Sequence, residues 1–212
     1  MGRIVAIALL SAGMLLAPLA SFDFENGESG KLPPGWAAAK TGEGPGSVWQ
    51  VNEDPTAPLG AKVLAQVSAE GPRPLFNLCV ANDTSYRDLD LSVQLKAVSG
   101  KIDQGGGPVW RYQDPGNYYI CRFNPLENNF RVYKVIAGQR TQLATADAKL
   151  PPGQWLTIRI TQSGDRIRCY LNGELKLEAR DAALPAAGKI GLWTKADAVT
   201  SFDALQVMAT QP

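Results

Sequence analysis

The chain of 212 residues contains no histidine. This absence removes the commonest general base near neutral pH, a frequent transition-metal ligand, and every Ser-His or Cys-His catalytic arrangement. Cysteine is also scarce, and Cys79, Cys121 and Cys169 show no CxxC or CxxH spacing, which disfavours a zinc site. We expect the three thiols to be small buried hydrophobes, or Cys121 and Cys169 to form a disulfide if their strands are neighbours.

No charge of one sign dominates, because 21 Lys and Arg residues face 20 Asp and Glu residues, for a net charge of +1. A global basic field that would recruit nucleic acid or an anionic membrane is therefore not expected. Nothing in the composition indicates an oligomeric state.

The apolar run from Ile4 to Leu16 follows an arginine and precedes small residues, in the stretch MGRIVAIALLSAGMLLAPLA. This pattern predicts a secretory signal peptide over residues 1–20, since the run is short for a membrane span. An uncleaved anchor is the alternative, because cleavage after Ala20 places Pro18 at the minus-three position. We expect an exported protein, periplasmic or secreted, with no transmembrane span in its mature form.

Turn-forming residues are plentiful, with 21 Gly and 15 Pro, and apolar residues alternate with polar ones over Leu89 to Leu95. Period two predicts strands with one buried face, and the Asn172-Gly173 pair predicts a two-residue hairpin. We expect a single all-β domain over residues 21–212, a two-sheet antiparallel sandwich. The Gly- and Pro-rich residues 26–46 are expected to form a loop around a sheet edge.

Three aromatic-rich runs separated by DPGN and NPLENN predict a meander over Gly105 to Val135. Strand alternation places polar and aromatic side chains on one face, with Tyr119, Cys121 and Phe123 in the core. No acids lie between the arginines along these strands, which favours a binding surface over an outer sheet with internal ion pairs. The candidate ligand-binding residues are Arg111, Gln113, Tyr118, Arg122, Asn124, Arg131 and Tyr133.

The series GGGPVWRYQDPGNYYICRFNPLENNFRVYKV, PPGQWLTIRI, IRCYLNGEL and GKIGLWTKADAVTSFDALQV resembles the concanavalin A-like lectin and glucanase jelly roll. More narrowly, it is similar to bacterial proteins related to 3-keto-disaccharide hydrolase domains and to laminin-G-like domains. The resemblance covers roughly Phe22 to Val207. It implies a jelly roll whose concave sheet receives a sugar-like ligand, and the fold also hosts adhesive members without activity.

Carboxylates are the remaining catalytic groups. The glucanases of this superfamily carry an E-x-D-x-x-E triplet on one strand, and this chain has none. Asp114 and Glu127, in the two turns of the meander, are the candidate acids if the protein is a hydrolase, since glycoside hydrolysis needs two acids at one groove. The alternative is that both cap their turns.

The resemblance also implies a possible structural calcium where the first and last strands meet. Asp23, Glu25 and Asp203 would supply the oxygen ligands. The alternative is that Asp203 only bonds to nearby backbone.

Three functions therefore remain. The first is an exported lectin-like module that binds a carbohydrate or related polyol without catalysis and without a required cofactor. The second is a hydrolase of glycosides or keto-sugars that uses Asp114 or Glu127. The third is a structural module of an envelope assembly.

Overall fold

The computed structural model describes residues 18–208, so most of the predicted signal peptide lies outside the described residues. Within that range the chain forms fifteen β-strands. They are β1 (Ala20–Phe22), β2 (Trp36–Thr41), β3 (Trp49–Glu53), β4 (Lys62–Gln66), β5 (Phe76–Ala81), β6 (Leu89–Ser99), β7 (Gly107–Asp114), β8 (Asn117–Asn124), β9 (Asn129–Ile136), β10 (Gln139–Asp147), β11 (Trp155–Ser163), β12 (Arg166–Leu171), β13 (Glu174–Arg180), β14 (Lys189–Lys195) and β15 (Val199–Met208).

The strands form two antiparallel sheets. The eight-stranded sheet has the order β13-β12-β11-β6-β15-β4-β3, and β1 pairs with β15. The seven-stranded sheet has the order β10-β9-β8-β7-β14-β5-β2. The fold is therefore the predicted two-sheet jelly-roll sandwich, and no helix of residues 18–208 is long and apolar enough to cross a membrane.

The main core lies between the two sheets because the strands alternate as predicted. Along β6, the even-numbered polar positions from Asp90 to Lys96 face outward while Leu89, Leu91, Val93 and Leu95 are fully buried. From the seven-stranded sheet, β8 contributes Tyr119, Cys121 and Phe123, which confirms the predicted inner face of the meander. Asn172 and Gly173 both adopt positive φ in the β12–β13 hairpin, as the sequence predicted.

The prediction of a loop over residues 26–46 is wrong for Trp36–Thr41, which is strand β2 at the edge of the seven-stranded sheet. Its three alanines are poor strand formers by themselves, and antiparallel pairing with β5 from Trp36↔Ala81 to Thr41↔Phe76 holds them in place.

The three cysteines are free and buried. Cys121 and Cys169 come from opposite sheets and meet in the core, where burial raises the pKa of the Cys121 thiol well above its usual value.

Candidate functional site

A second apolar cluster covers the outer face of the seven-stranded sheet. An outer sheet face in water is usually polar, yet here aromatic and aliphatic side chains from five strands are buried. The cluster consists of Phe76, Leu78, Val109, Tyr118, Ile120, Tyr133, Val135 and Trp193. Something must therefore shield this face from solvent.

The shielding comes from the curvature of the sheet itself. Arg140 on β10 and Phe76 on β5 are separated by four strands in the sheet order, but the guanidinium carbon lies 5.0 Å from the phenyl centroid. Likewise, the Thr41 hydroxyl on β2 lies 2.9 Å from the Tyr118 hydroxyl on β8, although three strands intervene. Side chains of distant strands meet only if the sheet bends toward them, so the outer face of the seven-stranded sheet is concave. We refer to it as the concave face.

Arg122 anchors a polar cluster on the concave face. Its Nη1 donates to Asn129 Oδ1 at 2.6 Å, and its Nη2 donates to Glu127 Oε2 at 2.8 Å and to the Tyr133 hydroxyl at 3.3 Å. Arg131 donates to the same Glu127 oxygen at 3.2 Å. The expectation that these arginines lack an acid between them is therefore wrong, because the β8–β9 turn folds Glu127 back onto both.

These contacts fix the charge of Glu127. Partial burial would raise the pKa of this carboxyl, but hydrogen bonds from Asn129 and Arg122 and the charges of Arg122 and Arg131 lower the pKa to about 2. The carboxylate is ionised at neutral pH and is a weak base, which suits an ion pair better than proton transfer.

Arg140 occupies an aromatic cage on the concave face. Its guanidinium carbon lies 4.3 Å from the Tyr133 ring centroid and 5.8 Å from that of Trp193, in addition to the contact with Phe76. These distances are in the range of cation–π interactions. Burial is the main cause that lowers the pKa of Arg140, and the positive charge of Arg122 lowers it further. The cage therefore holds a partly desolvated cation.

Three buried N–H groups on this face have no hydrogen-bond acceptor within residues 18–208. They belong to Arg122 Nε, Arg140 Nη1 and Trp193 Nε1. The Trp193 indole lies near the Tyr118 hydroxyl without a hydrogen bond of good geometry. A buried donor without an acceptor costs about 1–3 kcal/mol, so a group of them is unexpected in a purely structural surface.

Asn124 supports the same cluster from the end of β8. Its Nδ2 donates to Asp103 Oδ1 at 2.9 Å, and its Oδ1 accepts the Glu127 backbone N–H at 3.1 Å. The other oxygen of Asp103 lies 3.0 Å from Lys195 Nζ. Because both polar ends of the Asn124 side chain are engaged, the structure gives it a positioning role beside Arg122.

Arg111 does not face the concave surface, which corrects the strand alternation predicted for β7. The register with β8 shifts between Trp110 and Asp114, and Arg111 adopts φ of 46°, typical of a bulge. Tyr112 takes the outward position instead and stacks on Tyr118 with ring centroids 6.1 Å apart. Gln113 is exposed and donates to the Ala187 carbonyl at 2.9 Å.

The Arg111 guanidinium is buried among loops at the sandwich edge. It donates to the carbonyl oxygens of Arg87, Leu184 and Gly164 at 2.7, 2.8 and 2.8 Å. A weaker ion pair joins it to Asp88 at 3.4 Å. The structure thus brings Arg122, Arg131 and Tyr133 together and separates Arg111 and Gln113 from them.

The two candidate acids lie at opposite ends of β8. Eight residues at about 3.3 Å each separate the turns that hold them by more than 20 Å, well beyond the spacing of a glycosidase pair. Asp114 accepts the Gly116 N–H at 2.7 Å and two bonds from Asn117, so it stabilises its turn. The geometry does not let Asp114 and Glu127 act on one bond.

The predicted calcium ligands are close to one another, since the charges of Glu25 and Asp23 both raise the pKa of Asp203 after burial, the main cause. Their oxygens accept hydrogen bonds from backbone N–H groups, however. Glu25 Oε1 accepts the N–H groups of Ala61 and Lys62 at 2.9 and 2.6 Å, and Asp203 Oδ2 accepts that of Leu59 at 2.8 Å. In the described part of the chain no cluster of three or more acidic, His or Cys side chains is arranged for a metal, so calcium stays a prediction that this geometry does not favour.

Sequence reasoning missed Arg140, Trp193, Asp103 and Lys195. The sequence offers strand signals for the first two, in RTQLA at Arg140 and in KIGLW at Trp193. The contact between them depends on the curvature of the whole sheet, which local patterns do not report.

The outer face of the eight-stranded sheet carries a second groove, with a cavity of about 510 Å³. Its four arginines are all paired: Arg159 is bidentate to Asp90 at 2.7 and 2.6 Å, and Arg166, Arg168 and Arg180 pair with acids of β13 and the β11–β12 turn. The pairs of Arg166, Arg168 and Arg180 are exposed on both sides, and the Arg159 pair is exposed on the arginine side, with Asp90 14% exposed. This groove is typical of a solvated charged surface, and the concave face is the stronger candidate.

The topology and the concave polar cluster define a concanavalin A-like jelly roll, and comparisons with known proteins agree. The profile described as the 3-keto-alpha-glucoside-1,2-lyase-like domain matches residues 23–208. The chain therefore belongs to that family. No curated protein is matched with significance.

Solved structures similar to this chain share its fold. The carbohydrate binding module CBM66 from Bacillus subtilis is 16% identical, with 82% of this chain and 96% of that chain covered and a TM-score of 0.66. Cellulose induced protein Cip1 is 12% identical, with 91% and 98% covered and a TM-score of 0.67. The GH43 protein BlXynB from Bacillus licheniformis is 16% identical, with 90% and 39% covered and a TM-score of 0.60. At these identities the likeness shows the fold alone.

Proposed function

We propose that the protein is an exported saccharide-binding module whose site is the concave face. The observation that carries the proposal is the group of buried N–H donors without acceptors beside aromatic rings, centred on Arg122, Arg140 and Trp193. Unpaired buried donors destabilise the folded protein, so folding alone does not explain them, whereas saccharide oxygens would accept hydrogen bonds from them. The similar structure from Bacillus subtilis is a carbohydrate binding module, which supports the same interpretation.

The partly exposed groups at the rim are the ones that a ligand meets first. Arg131 and Glu127 keep 32% and 42% of their side-chain surface exposed, and Arg140 is half-buried above Tyr133. Arg122 and Asn124 lie beneath them and hold them in place. A saccharide at the rim therefore contacts Arg131, Glu127 and Arg140, with Arg122 as the buried donor.

A keto-glucoside lyase is the second candidate, because the family profile carries that description. Elimination next to a ketone needs a base to remove a carbon-bound proton. Glu127 is the acid at the centre of the concave cluster, and with a pKa of about 2 it is a poor base. The geometry therefore supports binding better than this chemistry.

Binding is tested by titration calorimetry of the purified protein against plant, algal and bacterial glycans. We expect Arg131→Gln to weaken the affinity for a bound glycan by about tenfold or more, because it removes a charged donor at the rim. Arg168→Gln is the matched control, since Arg168 forms a similar surface ion pair on the other sheet. No binding to any glycan, or equal loss in both variants, would contradict the proposal.

The lyase is tested in parallel by incubating the protein with a 3-keto-disaccharide and following the sugar signals by NMR. Turnover that survives Glu127→Gln would assign the activity to another group.

Crosslinking in the native envelope tests the structural-module alternative, which requires a protein partner and no glycan binding.

A further inference from the structure

The concave face carries more positive than negative charge. Four cationic side chains, Arg122, Arg131, Arg140 and Lys195, surround two carboxylates. Glu127 neutralises Arg122 and Arg131 jointly, and Asp103 neutralises Lys195. Arg140 forms no ion pair with any residue of 18–208, and the face is left with an excess of about two positive charges.

The excess charge is concentrated where it is least solvated. Arg122 is 2% exposed and Arg140 is half-buried, and burial first, then the charge of Arg122, lower the pKa of Arg140. Desolvated like charges are unfavourable unless an anion compensates them. The charge of Asp103 raises the pKa of Arg140 in part, but Asp103 pairs with Lys195, and no residue of the described chain forms an ion pair with Arg140.

The hydrogen-bond inventory points to the same kind of ligand. Of the buried polar atoms without a hydrogen-bond partner on this face, three are donors, Arg122 Nε, Arg140 Nη1 and Trp193 Nε1, and one is an acceptor, Asp103 Oδ2. Glu127 Oε2 accepts from Arg122, Arg131 and Asn129, Asp103 Oδ1 accepts from Asn124, and Asp103 Oδ2 lies 3.0 Å from Lys195 Nζ, so that Glu127 Oε1 is the open carboxylate oxygen among the described residues of this cluster. A neutral sugar hydroxyl brings a donor for which Glu127 Oε1 is the open acceptor, whereas a carboxylate is an acceptor only and matches the larger number of free donors.

We propose that the ligand of the concave face is an acidic saccharide whose uronic acid carboxylate pairs with Arg140 and Arg122. The inference rests on the proposed function, because it names the class of saccharide that the same site takes. Arg140 is only half-buried, and a planar guanidinium matches the geometry of a carboxylate. The aromatic rings behind it hold the guanidinium in position for the ligand.

The test compares matched pairs of glycans by titration calorimetry with the unmodified protein. Oligomers of galacturonate, glucuronate, and mannuronate with guluronate are each measured beside their carboxyl-reduced counterparts, which keep the sugar configuration and lose the charge. We expect at least one acidic oligomer to bind about tenfold or more tightly than its reduced form. Its affinity is expected to fall as salt is raised.

Arg140→Gln is expected to weaken binding of the acidic oligomer by a larger factor than binding of its reduced form, so that most of this preference is lost. Arg159→Gln is the matched control, because Arg159 also stacks on a tyrosine, with its guanidinium 4.9 Å from the Tyr170 ring, but on the other sheet. Thermal unfolding of each variant verifies that it is folded. If Arg140→Gln does not fold, the comparison of acidic and reduced oligomers with the unmodified protein decides the outcome.

Equal or tighter binding of neutral oligomers would overturn the inference and leave the proposed saccharide function standing. Binding of no glycan, acidic or neutral, would overturn both. A preference for the acidic form that Arg140→Gln keeps in full and Arg159→Gln loses would place the acidic subsite on the other sheet and also refute the inference.

Discussion

Replacement of Arg111 by glutamine separates a structural role from a ligand-binding one. In the native structure its guanidinium joins three segments that are distant in sequence: the entry to β6, the β11–β12 turn and the β13–β14 loop. Only 2% of its side chain is exposed. Arg111→Gln therefore removes three short charged hydrogen bonds and leaves carbonyl oxygens without donors.

The expected loss follows from these contacts. A hydrogen bond contributes a net 0.5–1.5 kcal/mol and more when charged, and removal of one partner of a buried polar network costs about 3–5 kcal/mol. Since domains are stable by about 5–15 kcal/mol, the variant is expected to fold. Its melting temperature is expected to fall by roughly 10 °C.

Urea and thermal denaturation measure the change, and Arg131→Gln is the control, expected to lose at most about 1 kcal/mol because its ion pair is exposed. Glycan affinity of folded Arg111→Gln is expected to match that of the unmodified protein. Loss of affinity with unchanged stability would refute the structural role of Arg111 and show that it is a ligand-binding residue.

Two further changes test the account of the fold. The Asp197 carboxylate accepts the backbone N–H groups of residues 101–103 at 2.7–3.0 Å, and these bonds outweigh burial and lower its pKa. Because the pKa is lower in the folded state than the unfolded value of about 3.9, this stabilisation is full above that value and is lost as pH falls through the folded pKa. Asp197→Asn is therefore expected to be less stable at pH 7 and to show a shallower loss of stability below pH 4; an unchanged acid limb in a pH series of urea melts would contradict this. Gly191→Ala is expected to cost about 1–3 kcal/mol, because the added methyl meets the Cys79 carbonyl oxygen between β14 and β5. A melting temperature equal to that of the unmodified protein would contradict this expectation and show that the two strands move apart to accommodate the methyl group.

Local sequence patterns predicted the parts of the fold that depend on neighbours in sequence. The alternation in β6 and β8 follows from burial of one strand face, and the Asn172-Gly173 turn follows from the tolerance of both residues for positive φ. The same alternation rule correctly placed Arg122, Arg131 and Tyr133 on one face of the sheet.

The rule failed where one residue interrupts the ladder. The bulge at Arg111 reverses the faces of the residues after it, so that Tyr112 points outward in place of Arg111. Arginine in the left-handed region carries no sequence signal comparable to Asn-Gly. Strand β2 was missed for a related reason: its alanines become a strand only through pairing with β5.

The cage around Arg140 was beyond local prediction altogether. Its rings come from β5, β9 and β14, which approach β10 only because the seven-stranded sheet is curved. Curvature depends on the summed twist of seven strands and on their contacts with the other sheet. No window of sequence around Arg140 contains that information.

NMR titration of the isotope-labelled protein with a bound glycan tests the central claim most directly, because it reports where the ligand lies. The account predicts that the shifted backbone amides cluster on β8, β9, β10 and β14, around Arg122, Arg131, Arg140 and Trp193, and that the indole N–H of Trp193 shifts with them. Shifts confined to β11 and β12, around Arg159 and Tyr170, would contradict it and assign binding to the outer face of the eight-stranded sheet.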